Sequence, residues 1–341
     1  MRCRKPAALA ASLALAVAVA SAAPALAEPQ VVRVDWAVTP GQFAPLIPTV
    51  PQYGPNVYRH YGKSYVVEPI RLQGGGATLT ALAAGETDVS TLSPQTLVLA
   101  AVNAKLDIRV IAQQVSTEVP GYLNNYYWVH ANEVKTIADL KGKVIAVPAR
   151  NSNIDSSMHT VLARAGLIET RDYQLVEIRF PAALAALESR KVDTAALVPP
   201  WNVMAAKNPD LKKLFNIGEA AGAVEAVMWV TTERFIAKHR AVLVDLLEDN
   251  IRMRRWMFDP KTRDDAIRQV ADFTKAPIAT YADWMFTHDD YYYDPHALVD
   301  VARLQKNIAD MSQAGTVPAN IDVSRYVDLS LAQEAAARVG N

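Results

Sequence analysis

The chain of 341 residues carries 35 basic and 35 acidic side chains, is 51% hydrophobic by composition and holds one cysteine. That length exceeds what a single hydrophobic core usually spans and predicts two domains. Balanced charge without a basic stripe argues against a nucleic-acid partner, and one cysteine excludes internal disulfides and thiolate metal clusters.

Residues 1–27 read as an export signal. Arg2, Arg4 and Lys5 form a basic start, Ala7 to Ala20 an apolar run too short for a bilayer span, and Ala25-Leu26-Ala27 a small-x-small cleavage site before Glu28. Cys3 lies in the basic start and leaves with it, so the mature chain offers no cysteine nucleophile. The remaining residues hold 32 basic against 35 acidic side chains. No later run of about 20 apolar residues suggests a membrane span. A location outside the cytoplasm, in the periplasm, is expected.

From there strands and helices alternate. Val31 to Val38 predicts a strand, a proline-rich segment leads to a helix near Val57, and Val66 to Leu72 is a second strand. Gly74-Gly75-Gly76 then turns into a short helix over Ala77 to Ala84, and Gly85-Glu86-Thr87-Asp88 leads into the strand Val89 to Leu92. Ile108 to Val115 and Tyr126 to His130 are further strands. A second series follows: strand Val144 to Val147, helix Ile154 to Ala165, strand Leu175 to Ile178, helix Pro181 to Arg190 and strand Thr194 to Val198. This rhythm predicts parallel α/β sheets. Ala223 to Thr231 reads as a strand returning to the first lobe, and Ala237 to Phe258 as an amphipathic helix with a core-facing stripe. The chain thus enters a second lobe and comes back, which requires two crossings, expected near Gly121 to Tyr127 and Gly218 to Trp229. The expected division is 28–122 plus 225–341 for one lobe and 123–224 for the other.

Several segments, in order along the chain, carry a family resemblance: LAAGETDV at 82–89, DLKGKVIAVP at 139–148, ALAALESRKVDTAAL at 183–197, TERFIAKH at 232–239 and YVDLS at 326–330. With them the chain resembles the periplasmic substrate-binding proteins of the nitrate, sulfonate and taurine (NitT/TauT) class of ABC importers, relatives of proteins that bind a thiamine pyrimidine precursor. The resemblance implies a type II periplasmic binding protein fold, two βα lobes joined by two hinge crossings around a ligand cleft. It implies capture of a small solute by lobe closure, and delivery to a membrane permease with its ATPase. No cofactor or metal is expected, and the protein is expected to act as a monomer.

Candidate ligand residues sit where strand ends open onto such a cleft. Trp36 and Gln42 follow the first strand, Trp36 being equally well placed to pack in the core. Gly75, Gly76 and Ala77 offer helix-start amides suited to a sulfonate or carboxylate oxygen. Ser93 and Gln95 present a hydroxyl and an amide, or else cap a turn. Tyr122 and Asn124 belong to a first crossing made aromatic and amide-rich by Asn125, Tyr126 and Tyr127 as well. In the turn at 148–157, where the resemblance implies the helix that meets the ligand, Asn153 and Asp155 are candidates for contact or for N-capping. Trp201 can cover a planar ligand, and Glu225 can meet an amine or remain a surface charge. Tyr291, Tyr292 and Tyr293 read as a packed surface turn. The expected ligand is a small organic anion of the sulfonate or aromatic carboxylate class.

Enzyme chemistry finds little support. The six histidines are scattered without a metalloprotease spacing, and neither a G-x-S-x-G elbow nor a phosphate-binding loop occurs. The alternative is a periplasmic sensor or enzyme reusing the same bilobed fold.

Overall fold

The computed structural model describes residues 28–37, 41–122, 125–218 and 222–340. The expected export segment, Asn124 and the side chain of Asn153 fall outside these. Two five-stranded sheets organise the chain. The first contains β1 (Gln30–Trp36), β2 (Tyr65–Arg71), β3 (Val89–Leu92), β4 (Ile108–Thr117) and β10 (Val224–Thr232), in the order β2-β1-β3-β10-β4. The second contains β5 (Tyr126–His130), β6 (Val144–Val147), β7 (Gln174–Glu177), β8 (Thr194–Leu197) and β9 (Leu211–Asn216), in the order β7-β6-β8-β5-β9.

The helices are α1 (Val50–Tyr53), α2 (Gly76–Ala84), α3 (Pro94–Val98), α4 (Asn153–Arg164), α5 (Phe180–Glu188), α6 (Trp201–Ala205), α7 (Glu233–Phe258), α8 (Arg263–Thr274), α9 (Val301–Gln313) and α10 (Ser330–Val339). Among the described residues, none is long and apolar enough to cross a membrane.

Both sheets are mixed, which corrects the expectation of parallel ones. β1 pairs parallel with β2 and β3, whereas β10 runs antiparallel to β3 and β4. Likewise β6 is parallel to β7 and β8, and β5 is antiparallel to β8 and β9. The physical reason is the route of the chain. β5 and β10 are the strands that arrive from the other half; each starts at the edge where its neighbours end, so it must run against them.

Local chemistry explains the element boundaries nearest the cleft. Gly85 closes α2 in the left-handed region at φ 70°, a conformation that costs glycine little. Arg33 grips Asp88 through both guanidinium bonds, at 3.0 and 2.7 Å, and so ties the turn at 85–88 to β1. Ser93 and Thr96 form a reciprocal capping box at the start of α3, with Pro94 in the first helical position. Ser152 caps α4 by accepting from the Asp155 amide at 3.3 Å.

Other expectations need revision. The helix expected near Val57 lies earlier, as a 3₁₀ turn over Ala44–Thr49 continuing into α1. β9 carries no clean alternation in LKKLFN and was not anticipated. The crossings lie elsewhere than expected: the first joins Thr117 at the end of β4 to Tyr126 at the start of β5, and the second joins Asn216 at the end of β9 to Val224 at the start of β10, because strand pairing already captures Tyr126 and Val224. Tyr291 and Tyr293 are buried, not part of a surface turn, and Tyr293 stacks on Phe43 with ring centroids 4.7 Å apart. Side chains of both halves join in one core, with Val34 and Trp229 from the first sheet clustered with Tyr127 and Val147 from the second.

Candidate functional site

A cavity of about 110 Å³ lies between the two sheets, walled by the carboxyl ends of β1, β3, β4 and β6 and by the starts of β5 and β10. This is where open α/β sheets hold ligands, because the side chains and amides just beyond the strand ends have no further pairing to make. Gln42, Gln73, Thr91, Ser93, Thr117, Asn125 and Ser152 supply its polar groups, and Phe180 and Tyr291 its aromatic walls. Among the described residues no Lys, Arg, Asp or Glu lines this inner cavity.

Two of these residues stand out energetically. Asn125 is 2% exposed and Thr117 is 1% exposed, yet the Asn125 Nδ2 and Oδ1 atoms and the Thr117 hydroxyl have no hydrogen-bond partner among the described residues. A buried polar group left unpaired costs about 1–3 kcal/mol. Both residues flank the first crossing, and both line the cavity. Gln42 spends its Oε1 on the Ala37 amide at 2.6 Å, which leaves its Nε2 as the donor for the cavity.

An outer cavity of about 630 Å³ continues from the inner one, sharing Ala37, Gln73, Pro148 and Phe180. Trp36, Trp201, Phe180 and Phe273 make it aromatic. Phe180 and Trp201 stack with centroids 5.3 Å apart, and Trp36 meets Phe273 edge-on at 5.8 Å. Arg71 and Arg179 are its charged lining residues.

The halves touch at the rim of the cleft. A Cβ on Gly75 would overlap the carbonyl oxygen of Arg150, so this glycine serves a close approach between halves. Ser93 Oγ donates to the Asn151 carbonyl at 3.1 Å, and Gln95 Nε2 donates to Asn151 Oδ1 at 3.2 Å. Arg150 pairs with Glu169 at 2.7 Å.

The expected residues therefore divide. Gln42, Gly75 and Ser93 line the inner cavity, and Trp36 and Trp201 the outer one. Gly76 and Ala77 are exposed and line neither, so the helix start is not turned on the cavity. Gln95 lines neither cavity; its Nε2 is spent on Asn151, while its buried Oε1 has no partner among the described residues. Tyr122 packs its ring 4.7 Å from His288 and 5.3 Å from Tyr292, away from both cavities. Asp155 accepts from the Asn151 amide at 2.7 Å and faces His159 at 3.4 Å. Glu225 lines neither cavity and is not a surface charge. It is 1% exposed, accepting from Ser116 Oγ at 3.0 Å and from Arg303 at 2.7 Å, and burial outweighs the Arg303 charge to push its carboxyl up to about 7.

Thr91, Thr117, Ser152, Phe180, Tyr291, Arg71 and Arg179 were not anticipated, and Asn125 was seen only as part of an amide-rich crossing. Thr91, Thr117, Phe180, Arg71 and Arg179 all fall within three residues of a strand's carboxyl end, a signal that a stricter use of the strand-end rule would have found. Tyr291 carries no such signal, since a loop far along the chain delivers it.

Comparison with known proteins agrees with this architecture. Residues 67–250 match the family described as NMT1/THI5 like. A Brachyspira hyodysenteriae protein described as an ABC transporter periplasmic binding protein is 29% identical over 153 residues, which cover 41% of this chain and 42% of that relative. The alkanesulfonate-binding protein SsuA of Xanthomonas axonopodis pv. citri, bound to MOPS, superposes with a TM-score of 0.66 at 19% identity, over 89% of this chain and 99% of that one. The periplasmic nitrate-binding protein NrtA of Synechocystis PCC 6803 gives 0.68 at 13% identity, over 92% and 89%. At these identities the two structures establish a shared periplasmic binding protein fold. With more than half of its length matched, the chain belongs to the NMT1/THI5-like family.

Proposed function

We propose that this protein is the solute-binding component of an ABC importer, capturing a small organic anion between two hinged lobes and presenting it to a permease with its ATPase. The lobes are 28–122 plus 225–341 and 123–224, the protein works as a monomer in the periplasm after loss of residues 1–27, and it catalyses no reaction. The observation that carries this reading is the pair of buried, unpartnered side chains, Asn125 and Thr117, lining a cavity enclosed by both sheets. Such groups are retained where a ligand satisfies them. A ligand touching both halves stabilises the closed arrangement by contacts that the open one lacks.

The anionic part of the proposal draws on Arg71 and Arg179, the charged groups lining the cleft. The aromatic walls favour an aromatic carboxylate or a sulfonate with an apolar body. Thermal-shift screening of carboxylates, sulfonates, nitrate and pyrimidines tests this, because a ligand of the folded state raises the melting temperature. Organic acids are expected to raise it, and Asn125→Leu is expected to abolish the rise while leaving the ligand-free protein at least as stable as wild type, by up to about 3 kcal/mol, since no side-chain bond is lost and an unpaired buried amide is removed. A rise with uncharged compounds alone would defeat the anion assignment.

A further inference from the structure

Charge is distributed unevenly along the cleft. The inner cavity is lined by amides, hydroxyls and apolar groups, with no ionisable carboxylate, ammonium or guanidinium among its described lining residues. The outer cavity has two guanidinium groups and no carboxylate among its described lining residues. Arg71 comes from the end of β2 in the first half, and Arg179 from the residue before α5 in the second. Both are exposed, and neither makes an ion pair with a described residue.

The Arg71 guanidinium lies 5.2 Å from the centre of the Trp36 ring. Held there, it keeps its N–H fork free in its own plane, where a carboxylate or sulfonate is bound bidentately. The stacked Phe180 and Trp201 rings line the same cavity as Arg71 and Arg179, so the space that holds both arginines also carries flat apolar surfaces. An anion placed there draws charge from both halves at once.

We propose that the outer cavity is a second subsite, in which Arg71 and Arg179 hold the acidic end of a two-ended ligand whose uncharged, hydrogen-bonding head pairs with Asn125 and Thr117 in the inner cavity. The class is a planar or aromatic acid bearing an amide-like or similar donor and acceptor group at its far end. This rests on the solute-binding reading and adds an orientation to it. An inverted ligand would place its charge against amides and hydroxyls and leave both guanidinium groups unused. It would also forgo the contacts with Arg71 and Arg179 by which ligand charge favours bringing the halves together.

Isothermal titration of the exported protein with three probes tests the arrangement: 4-carbamoylbenzoate, which has both ends, benzamide, which has the head, and 4-methylbenzoate, which has the acid. 4-Carbamoylbenzoate is expected to bind at least about 10-fold more tightly than either single-ended probe, the gain of one charge-assisted pair or one satisfied amide. Arg71→Met with Arg179→Met should remove its advantage over benzamide and leave benzamide within about twofold of the wild-type affinity, with melting temperature as the control for folding. Asn125→Leu should instead level it with 4-methylbenzoate. Unchanged affinity of the double variant for 4-carbamoylbenzoate overturns the proposal, as does the absence of binding by all three probes. Solute binding itself survives either result and stands or falls with the wider thermal-shift screen.

Discussion

Asp35 sits wholly buried at the carboxyl end of β1, beside Trp36, and accepts through Oδ1 from both the amide and the hydroxyl of Thr91, a residue of the inner cavity wall. Burial pushes its carboxyl up to about 6, against the lowering effect of the Thr91 bonds. The folded protein therefore binds this proton more tightly than the unfolded chain does, and the stability contributed by the group is present below about pH 4 and lost as pH rises through 6. Asp35→Asn keeps the acceptor and removes the titration. Its stability relative to wild type should improve by about 3 kcal/mol between pH 4 and pH 7, the equivalent of roughly two pKa units. Denaturant unfolding at the two pH values measures this, and a constant difference between the proteins would show that Asp35 does not titrate as described. Glu225 and Asp290, each pushed up to about 7 by burial, contribute in the same direction over a higher range and remain in both proteins.

Packing between elements depends on a few buried polar anchors as much as on apolar faces. α7 covers 26 residues with a kink at His239, and its start is capped by Thr232, whose hydroxyl accepts from the Phe235 amide at 3.2 Å. In its interior, Asp249 is fully buried and receives the backbone amides of Arg59, His60 and Tyr61 at 2.8, 3.0 and 3.0 Å, with the Tyr65 hydroxyl at 3.1 Å. One carboxylate thus fixes the loop that precedes β2. Asp249→Ala strands three amides and a phenol, and should destabilise the fold by about 3 kcal/mol or more, while Asp249→Asn, which keeps one acceptor, should cost less. Equal melting temperatures for the alanine variant and wild type would show that the loop finds other partners. The sequence carries only part of this arrangement. The apolar spacing from Val242 to Trp256 announces the helix, but nothing local connects Asp249 with residues almost 190 positions away.

The two halves meet at a point of contact with no side chain on one side, on which the proposed closure would rest. Gly75 has φ 55°, and the Arg150 carbonyl occupies the space where its Cβ would stand. Gly75→Ala should hold the halves apart and weaken binding of the best ligand from the screen by at least about 10-fold, adding the strain of a positive φ to the steric overlap. Gly76→Ala is the matched control, since a Cβ there meets nothing within 4 Å. Titration calorimetry reads the affinities, and small-angle scattering should show a larger ligand-bound radius for Gly75→Ala. Wild-type affinity in that variant would mean that this contact is incidental to closure.

Most of the strands and helices and the two-sheet α/β architecture were legible along the chain, because hydrophobic periodicity, capping residues and glycine turns are local signals that act over a few residues. The resemblance in segments such as LAAGETDV and DLKGKVIAVP rests on the same local grammar. Direction and partnership were not legible. Whether β5 and β10 run with or against their neighbours depends on which edge the crossings use. Whether Glu225 meets solvent, solute or Arg303 depends on a helix some 80 residues further on. Tyr291 reaches the cavity wall, and Gly75 meets Arg150, only when distant segments are folded onto one another. A side chain's charge state, its exposure and its partner are properties of the packed volume around it, and that volume exists only once both halves are assembled.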